Sequence, residues 1–195
     1  LATWRPTYFE HAERFMSTLR GFHRDIPVTL YSDRDLEVVG DDNLTVEVFE
    51  PSDELFLDRI RLRSESPYDE TLYIDADYLV LGDMMPLFDL LQRFDLVVAH
   101  ADVRRHSPVP DGIPDAFPEH KGAMQCWRKC AATDKFFDEW ERAMRWHIKQ
   151  YPDCRSIRSG NHRDQGALRM ALWNSDARFC VVPTEWACGG VAFCV

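Results

Sequence analysis

The sequence predicts an α/β fold: one domain over residues 1–195, built on a mostly parallel sheet flanked by helices. Three observations carry this reading. Short apolar runs alternate with amphipathic stretches through the first hundred residues, the pattern of strand–helix–strand units. The run Leu72 to Ile74 is bulky and holds no Gly or Pro, as a strand buried on both faces requires. It breaks abruptly into Asp75 and Asp77 with Ala76 between them, and a second apolar run, Tyr78 to Leu81, follows. Asp is disfavoured within strands, and an unpaired carboxylate is disfavoured in a core. Both acids are therefore placed at the carboxyl end of the strand, where open α/β sheets bind their ligands.

The elements follow in order. Leu1-Ala2-Thr3 reads as the end of a first strand. Pro6 suits the first turn of a helix, in which Tyr8, Ala12, Phe15, Met16 and Leu19 recur at helical spacing and Gly21 marks a stop. Pro27 to Tyr31 forms the second strand, closed by Ser32-Asp33, and Leu44, Val46 and Val48 alternate with polar residues as a half-buried third. Ser52 is placed as the cap of the next helix, with Asp53 and Glu54 in its first turn. Arg59, Arg61 and Arg63 gather towards its end. They either complement the helix dipole in solvent or face the carboxyl end of the following strand. After that strand, Asp83 caps a short helix near Pro86, with Leu87, Phe88 and Leu91 inward, and Phe94 to Ala99 is a further strand.

Residues 101–119 hold four prolines and little periodicity. A loop of that length in a compact domain is usually functional or mobile, and its place after a core strand would let it border the ligand site. Lys121 to Lys129 is read as a strand. The clearest helix follows, with Phe136, Phe137, Trp140, Met144 and Ile148 on one face, ended at Tyr151-Pro152. Asp164 stands at or near the start of another amphipathic helix, where the spacing alone reads as a helix cap. Phe179 to Val182 is a last strand, and the apolar tail beyond Gly190 has no assigned place.

Composition narrows the function. A net charge of −10 argues against general nucleic-acid binding, which draws on Lys and Arg contacts to phosphate. No apolar run approaches the roughly 20 residues of a membrane span. The six cysteines, Cys126, Cys130, Cys154, Cys180, Cys188 and Cys194, match no common zinc spacing. They are read as buried or free thiols, which leaves the compartment open with the cytoplasm favoured.

Asp75 and Asp77 carry the chemistry. In an extended chain they point to opposite sides, but a turn at the strand end brings both to one hard cation. Carboxylate oxygens suit Mg2+ or Mn2+, which commonly bridge a few such groups to substrate phosphates.

The run Ser66-Pro67-Tyr68-Asp69-Glu70 through Tyr73-Ile74-Asp75-Ala76-Asp77 to Pro86-Leu87-Phe88-Asp89 resembles glycosyltransferases of the GT-A fold, the glycogenin-like and bacterial lipopolysaccharide-type enzymes. Weaker matches extend it from Ala2-Thr3 and Tyr8 through Pro27 to Asp33 and Gly122-Ala123-Met124. They end at Asp164-Gln165 and Pro183-Thr184-Glu185-Trp186. The resemblance implies a Rossmann-like, mostly parallel sheet and transfer of a sugar from a nucleoside diphosphate donor, typically UDP-linked, to a hydroxyl acceptor on a carbohydrate, lipid-linked or protein substrate. It implies that Asp75 and Asp77 hold Mn2+ or Mg2+, with Asp77 the more direct ligand and Asp75 also near the ribose or donor sugar. Ala2, Thr3 and Tyr8 would border the base. Arg59 and Arg61 would lie near the phosphates, Gly122 would line the site, and Asp164 with Gln165 would meet the transferred sugar, Asp164 as the catalytic carboxylate.

The chain departs from the family pattern where Glu119-His120-Lys121-Gly122 replaces a common Asn-with-Gly segment, and where Ala187 follows Glu185-Trp186 in place of Asn. A glycogenin-like His and Lys near the C-terminus has no counterpart in these residues. Two other readings remain: a degenerate sugar- or nucleotide-binding module, and a sugar nucleotidyltransferase. The second ordinarily carries a Gly-rich basic loop where this chain has Ala2-Thr3-Trp4-Arg5-Pro6.

Overall fold

A computed structural model describes residues 2–3, 6–36, 40–52, 54–101, 112–151, 163–187 and 191–192. The chain opens with strand β1 (Ala2–Thr3), helix α1 (Pro6–Phe22), β2 (Val28–Ser32) and β3 (Leu44–Val48). These three strands form a parallel sheet in the order β1-β2-β3. Helix α2 (Leu55–Ser64), β4 (Glu70–Ile74), β5 (Leu79–Val80), α3 (Met85–Leu90), β6 (Leu96–His100) and β7 (His120–Arg128) follow. Then come α4 (Ala131–Gln150), α5 (Arg163–Asn174), β8 (Phe179–Val182), a 3-10 turn (Thr184–Ala187) and β9 (Val191–Ala192).

The second sheet has the order β4-β7-β6-β8. In it β7 runs antiparallel to both β4 and β6, while β6 and β8 are parallel. The parallel expectation holds for four of the six strand pairings among the described residues, and β7 is the exception in both others. The tail that the sequence left unplaced supplies β9, which pairs in parallel with β5.

Two apolar clusters occupy the two faces of the four-stranded sheet. Along β6, Val97 and Ala99 enter one cluster, with α1 and α3, while Leu96 and Val98 enter the other, with α2, α4 and α5. Every second residue faces the same way, so a strand covered on both sides is apolar throughout. Helix α4 owes its place to its stripe: Phe136, Trp140 and Met144 are essentially inaccessible, and Phe137 stacks on Trp140. Burying each such side chain contributes on the order of 2–3 kcal/mol. Among the described residues no helix is long and apolar enough to cross a membrane. Cys126, Cys130 and Cys180 are free thiols, with Cys126 buried, and the other three cysteines lie outside the described residues.

Helix starts depart slightly from the sequence reading. Ser52 does not cap α2. The cap residue is Glu54, without a side-chain bond, and the Ser52 hydroxyl and N–H instead donate to Asp58 Oδ2 at 3.0 and 2.7 Å. Asp58 lies inside the helix and is buried, so it competes for the serine. Asp83 does serve α3, accepting the Met85 N–H at 2.9 Å, although Met84 is the cap residue.

A buried carboxylate ties the far end of the second sheet. Asp95 accepts from Arg178 Nη2, Nε and backbone N–H at 2.9, 3.1 and 3.0 Å, and from Arg128 Nε at 3.2 Å. The Arg178 hydrogen bonds above all, then those of Arg128, hold its pKa well below the usual carboxylate range against the effect of burial. A carboxyl group with a depressed folded-state pKa contributes stability that is present above its unfolded value and is lost as pH falls. Asp95→Ala is therefore expected to lower the unfolding free energy by about 2 kcal/mol at pH 7, an allowance reduced for the exposure of both arginines. In denaturant titrations the gap between the two proteins should narrow as pH drops from about 4 towards 2.

Candidate active site

The site is built where β4 ends. The β4–β7 ladder runs one step past the strand, with Asp75 N–H donating to Ala123 O at 3.0 Å. The chain then turns, closed by Tyr78 N–H to Asp75 O at 3.2 Å. Asp75 and Asp77 thus occupy the first and third positions of a tight turn, which frees both from the alternation of a strand. Ala76 between them is buried, Asp75 is partly covered and Asp77 is exposed.

Arg59 reaches this turn from α2. Its Nη2 donates to Asp75 Oδ1 at 2.5 Å, and its Nη1 lies 3.4 Å from Asp164 Oδ2. Tyr73, at the end of β4, donates its hydroxyl to the same Asp75 Oδ1 at 2.7 Å. Both bonds fall on Oδ1, and Oδ2 of Asp75 takes none from the described residues. Burial works against the charge on Arg59, but Asp75, then Tyr73 and Asp164, outweigh it and raise its pKa well above the ordinary value. At Asp77, which is exposed as a whole, partial loss of hydration at the carboxyl group comes first, and then the Asp75 charge, in raising the pKa, with His11 of α1 among the groups opposing the rise.

Asp164 sits in the first turn of α5. Its Oδ1 accepts the Gln165 N–H at 3.0 Å, so the helix-cap reading and a place in the site both hold. Its carboxylate lies directly against the backbone of β7: a Cβ on Gly122 would stand 2.7 Å from Asp164 Oδ2. Glycine is needed at 122 for this close approach and not for an unusual backbone angle. Trp140 Nε1 donates to the Asp164 carbonyl at 3.3 Å, which joins the aromatic stripe of α4 to the start of α5.

The structure brings together Arg59, Asp75, Asp164 and Gly122, with Gln165 bonded to Asp164 and Asp77 at the open side of the turn. Ala2 and Thr3 are in β1, opposite Tyr31 and Ser32, and Tyr8 is in α1; their side chains lie outside the described set. Arg61, expected near the same centre, instead lies half-exposed with its Nη2 3.6 Å from Asp58 Oδ1. Arg63 takes the inward place. Residues four apart share a helix face and residues two apart do not, so the signal for Arg63 was its spacing from Arg59. Tyr73 was read as part of a buried strand, and its distance of two residues from Asp75 put it on the same face.

At the family departure, His120 is fully buried. It is caged by Phe117 and Phe179, with ring centres at 5.8 and 5.9 Å, and by His100. Burial first, then His100 and Arg169, lower its pKa to about 4. The imidazole is therefore neutral at physiological pH and adds no positive charge to the site. Glu119 is buried. Of the long loop, residues 112–119 are described, and 102–111 lie outside the described residues.

Asp75 Oδ2 is thus without a hydrogen-bond donor among the described residues and the Asp77 carboxylate is exposed, while one guanidinium balances Asp75 and Asp164. The sequence matches no family model and no curated protein. Solved structures are similar in fold. The galactosyltransferase LgtC, in complex with donor and acceptor sugar analogues, matches 94% of this chain and 73% of its own length, with a TM-score of 0.64 at 16% identity. An active-site mutant of LgtC matches 94% of this chain and 72% of its own, with a TM-score of 0.65 at 17% identity. The glycosyltransferase GlyE of Streptococcus pneumoniae TIGR4 matches 95% of this chain and 45% of its own, with a TM-score of 0.57 at 17% identity, so this chain spans less than half of GlyE. Both neighbours are glycosyltransferases with a GT-A architecture, and the turn bearing Asp75 and Asp77 belongs to a chain with that GT-A fold.

Proposed function

We propose that this chain is a metal-dependent glycosyltransferase acting as a single GT-A domain. It moves a sugar from a nucleoside diphosphate donor, UDP-linked in this reading, to a hydroxyl acceptor. The observation that carries the proposal is the meeting of Asp75 and Asp164 on one Arg59 guanidinium, from segments 105 residues apart in the case of Arg59 and Asp164. That meeting lies beside the exposed Asp77.

The residues fit a divalent cation. Asp75 keeps Oδ2 open while Arg59 and Tyr73 hold Oδ1. Asp77 is exposed, and the neighbouring Asp75 charge helps to raise its pKa, a repulsion that a hard cation relieves. The described residues contain no group of three metal-ligating side chains. Asp75 and Asp77 would therefore hold the ion with the donor phosphates and water, as Mg2+ commonly is. A divalent ion bound there supplies neutralisation of the charge that grows on the departing diphosphate.

The protein's own groups supply the rest. Arg59 ties Asp75 to Asp164 at the carboxyl end of β4. Asp164, pressed on Gly122, presents a carboxylate towards the sugar as its reacting carbon becomes cationic, and Gln165 lies next to it for the sugar hydroxyls. Ala2, Thr3 and Tyr8 border the base. Arg61, paired with Asp58 on the exposed side of α2, is left out of the donor site.

Titration calorimetry with UDP, with and without Mn2+, tests the donor site. Wild-type protein is expected to bind UDP only when Mn2+ is present. Asp77→Ala should lose that binding while its Tm stays within about 2 °C, because an exposed side chain contributes little to folding. Equal binding without metal, or no binding of any nucleoside diphosphate, would return the chain to the binding-module reading. Gly122→Ala is expected to push the Asp164 carboxylate off its seat. A loss of more than about tenfold in kcat/KM for donor hydrolysis or transfer, with a much smaller change in Tm, is the expected signature of that misplacement.

A further inference from the structure

Arg63 has no role in the proposed reaction, yet it is among the largest fully buried side chains of the described residues, at 2% exposure. Its guanidinium carbon lies 3.8 Å from the centre of the Tyr73 ring and 4.8 Å from that of Trp140. Nη2 donates to the Gly122 carbonyl at 2.8 Å, while Nε and Nη1 have no hydrogen-bond partner among the described residues. Burial is the main cause that lowers its pKa, and Arg59 adds to the effect. A buried cation with unbonded N–H groups costs stability, even with aromatic faces to receive part of its charge. An apolar side chain of similar length would fill the space without that cost.

What Arg63 provides is visible in what it touches. The Tyr73 hydroxyl donates to Asp75 Oδ1 at 2.7 Å. The Trp140 indole N–H donates to the Asp164 carbonyl at 3.3 Å. The Gly122 backbone is the surface on which the Asp164 carboxylate rests, 2.7 Å from where a Cβ would stand. Each of the three groups around this guanidinium therefore leads directly to Asp75 or Asp164.

We propose that Arg63 is a positioning residue for both carboxylates: by clamping Tyr73, Trp140 and the Gly122 peptide it fixes Asp75 through Oδ1, leaving Oδ2 to a ligand, and Asp164 against β7. For its ligand the proposal rests on the sugar-transfer reading; for its geometry it does not.

The test uses Arg63→Met, Arg63→Lys and Tyr73→Phe, read by thermal unfolding and by titration with Mn2+ alone and with Mn2+ plus UDP. Arg63→Met is expected to keep or raise Tm and yet weaken Mn2+-dependent UDP binding by about 10- to 100-fold, the range seen when support behind metal ligands is removed. Arg63→Lys, which keeps a cation for the rings and a donor for the Gly122 carbonyl, should recover part of that loss. The loss in Arg63→Met with Tyr73→Phe should be smaller than the two single losses combined, because one chain of contacts carries both. Wild-type affinity in Arg63→Met, or independent losses in the double variant, would overturn the proposal. If Arg63→Met does not fold, Arg63→Lys carries the same comparison, with weakened binding at an intact Tm expected and unchanged binding counting against it. If the wild-type protein binds neither Mn2+ nor UDP, the sugar-transfer reading falls separately. A crystal structure of the Arg63 variant then decides the geometric claim. Displacement of Asp75 from Tyr73, or of Asp164 from Gly122, supports it, and an unchanged pair of contacts overturns it.

Discussion

One guanidinium shared by two carboxylates is the constraint on which the site depends. Arg59 is covered by protein, and a cation there is tolerable only if its charge is met at short range. Asp75 and Asp164 meet it from two directions, one from the end of a strand and one from the first turn of a helix. Neither acid could take its place independently. If Asp164 withdrew, Arg59 would lose part of its compensation, and if Arg59 withdrew, Asp75 and Asp77 would face each other along one short turn.

The scaffold serves this pairing through its two-sided core. Strands β4 and β6 are covered on both faces, which leaves the strand ends as the places where polar groups can gather. The antiparallel β7 lies beside β4 and delivers Gly122 and Ala123 to the turn that carries Asp75. Helix α4 contributes at a distance. Its Trp140 is part of the apolar stripe and at the same time bonds the backbone of Asp164 and stacks on Arg63. Packing and site geometry are thus carried by the same side chain. The cost of burying Arg63 is a cost of holding the acids still.

His120 illustrates a local departure with a physical consequence. A histidine two residues before Gly122 could in principle supply a cation, but burial within the aromatic cage of Phe117 and Phe179 keeps this one neutral. The positive charge of the described centre comes instead from arginines on α2.

Much of this was legible in the residues themselves. An apolar run that stops at two acids has to put those acids at a strand end, because neither tolerates burial unpaired, and the alternation of runs along the chain is enough for an α/β sheet. Helical spacing was enough to place the stripe of α4 in the core and Asp164 near the start of α5. Other features belong to contacts between distant segments, which no local pattern encodes. The antiparallel course of β7 depends on its partners β4 and β6, and the place of β9 depends on its pairing with β5. The preference for Arg63 over Arg61 is set by which side of α2 meets Tyr73 and Trp140. The sequence by itself determined the fold class and the acids that end β4, since burial and solvation act residue by residue. Tertiary structure alone decided that Arg59 joins Asp75 to Asp164, since that pairing depends on two helices and a strand converging in space.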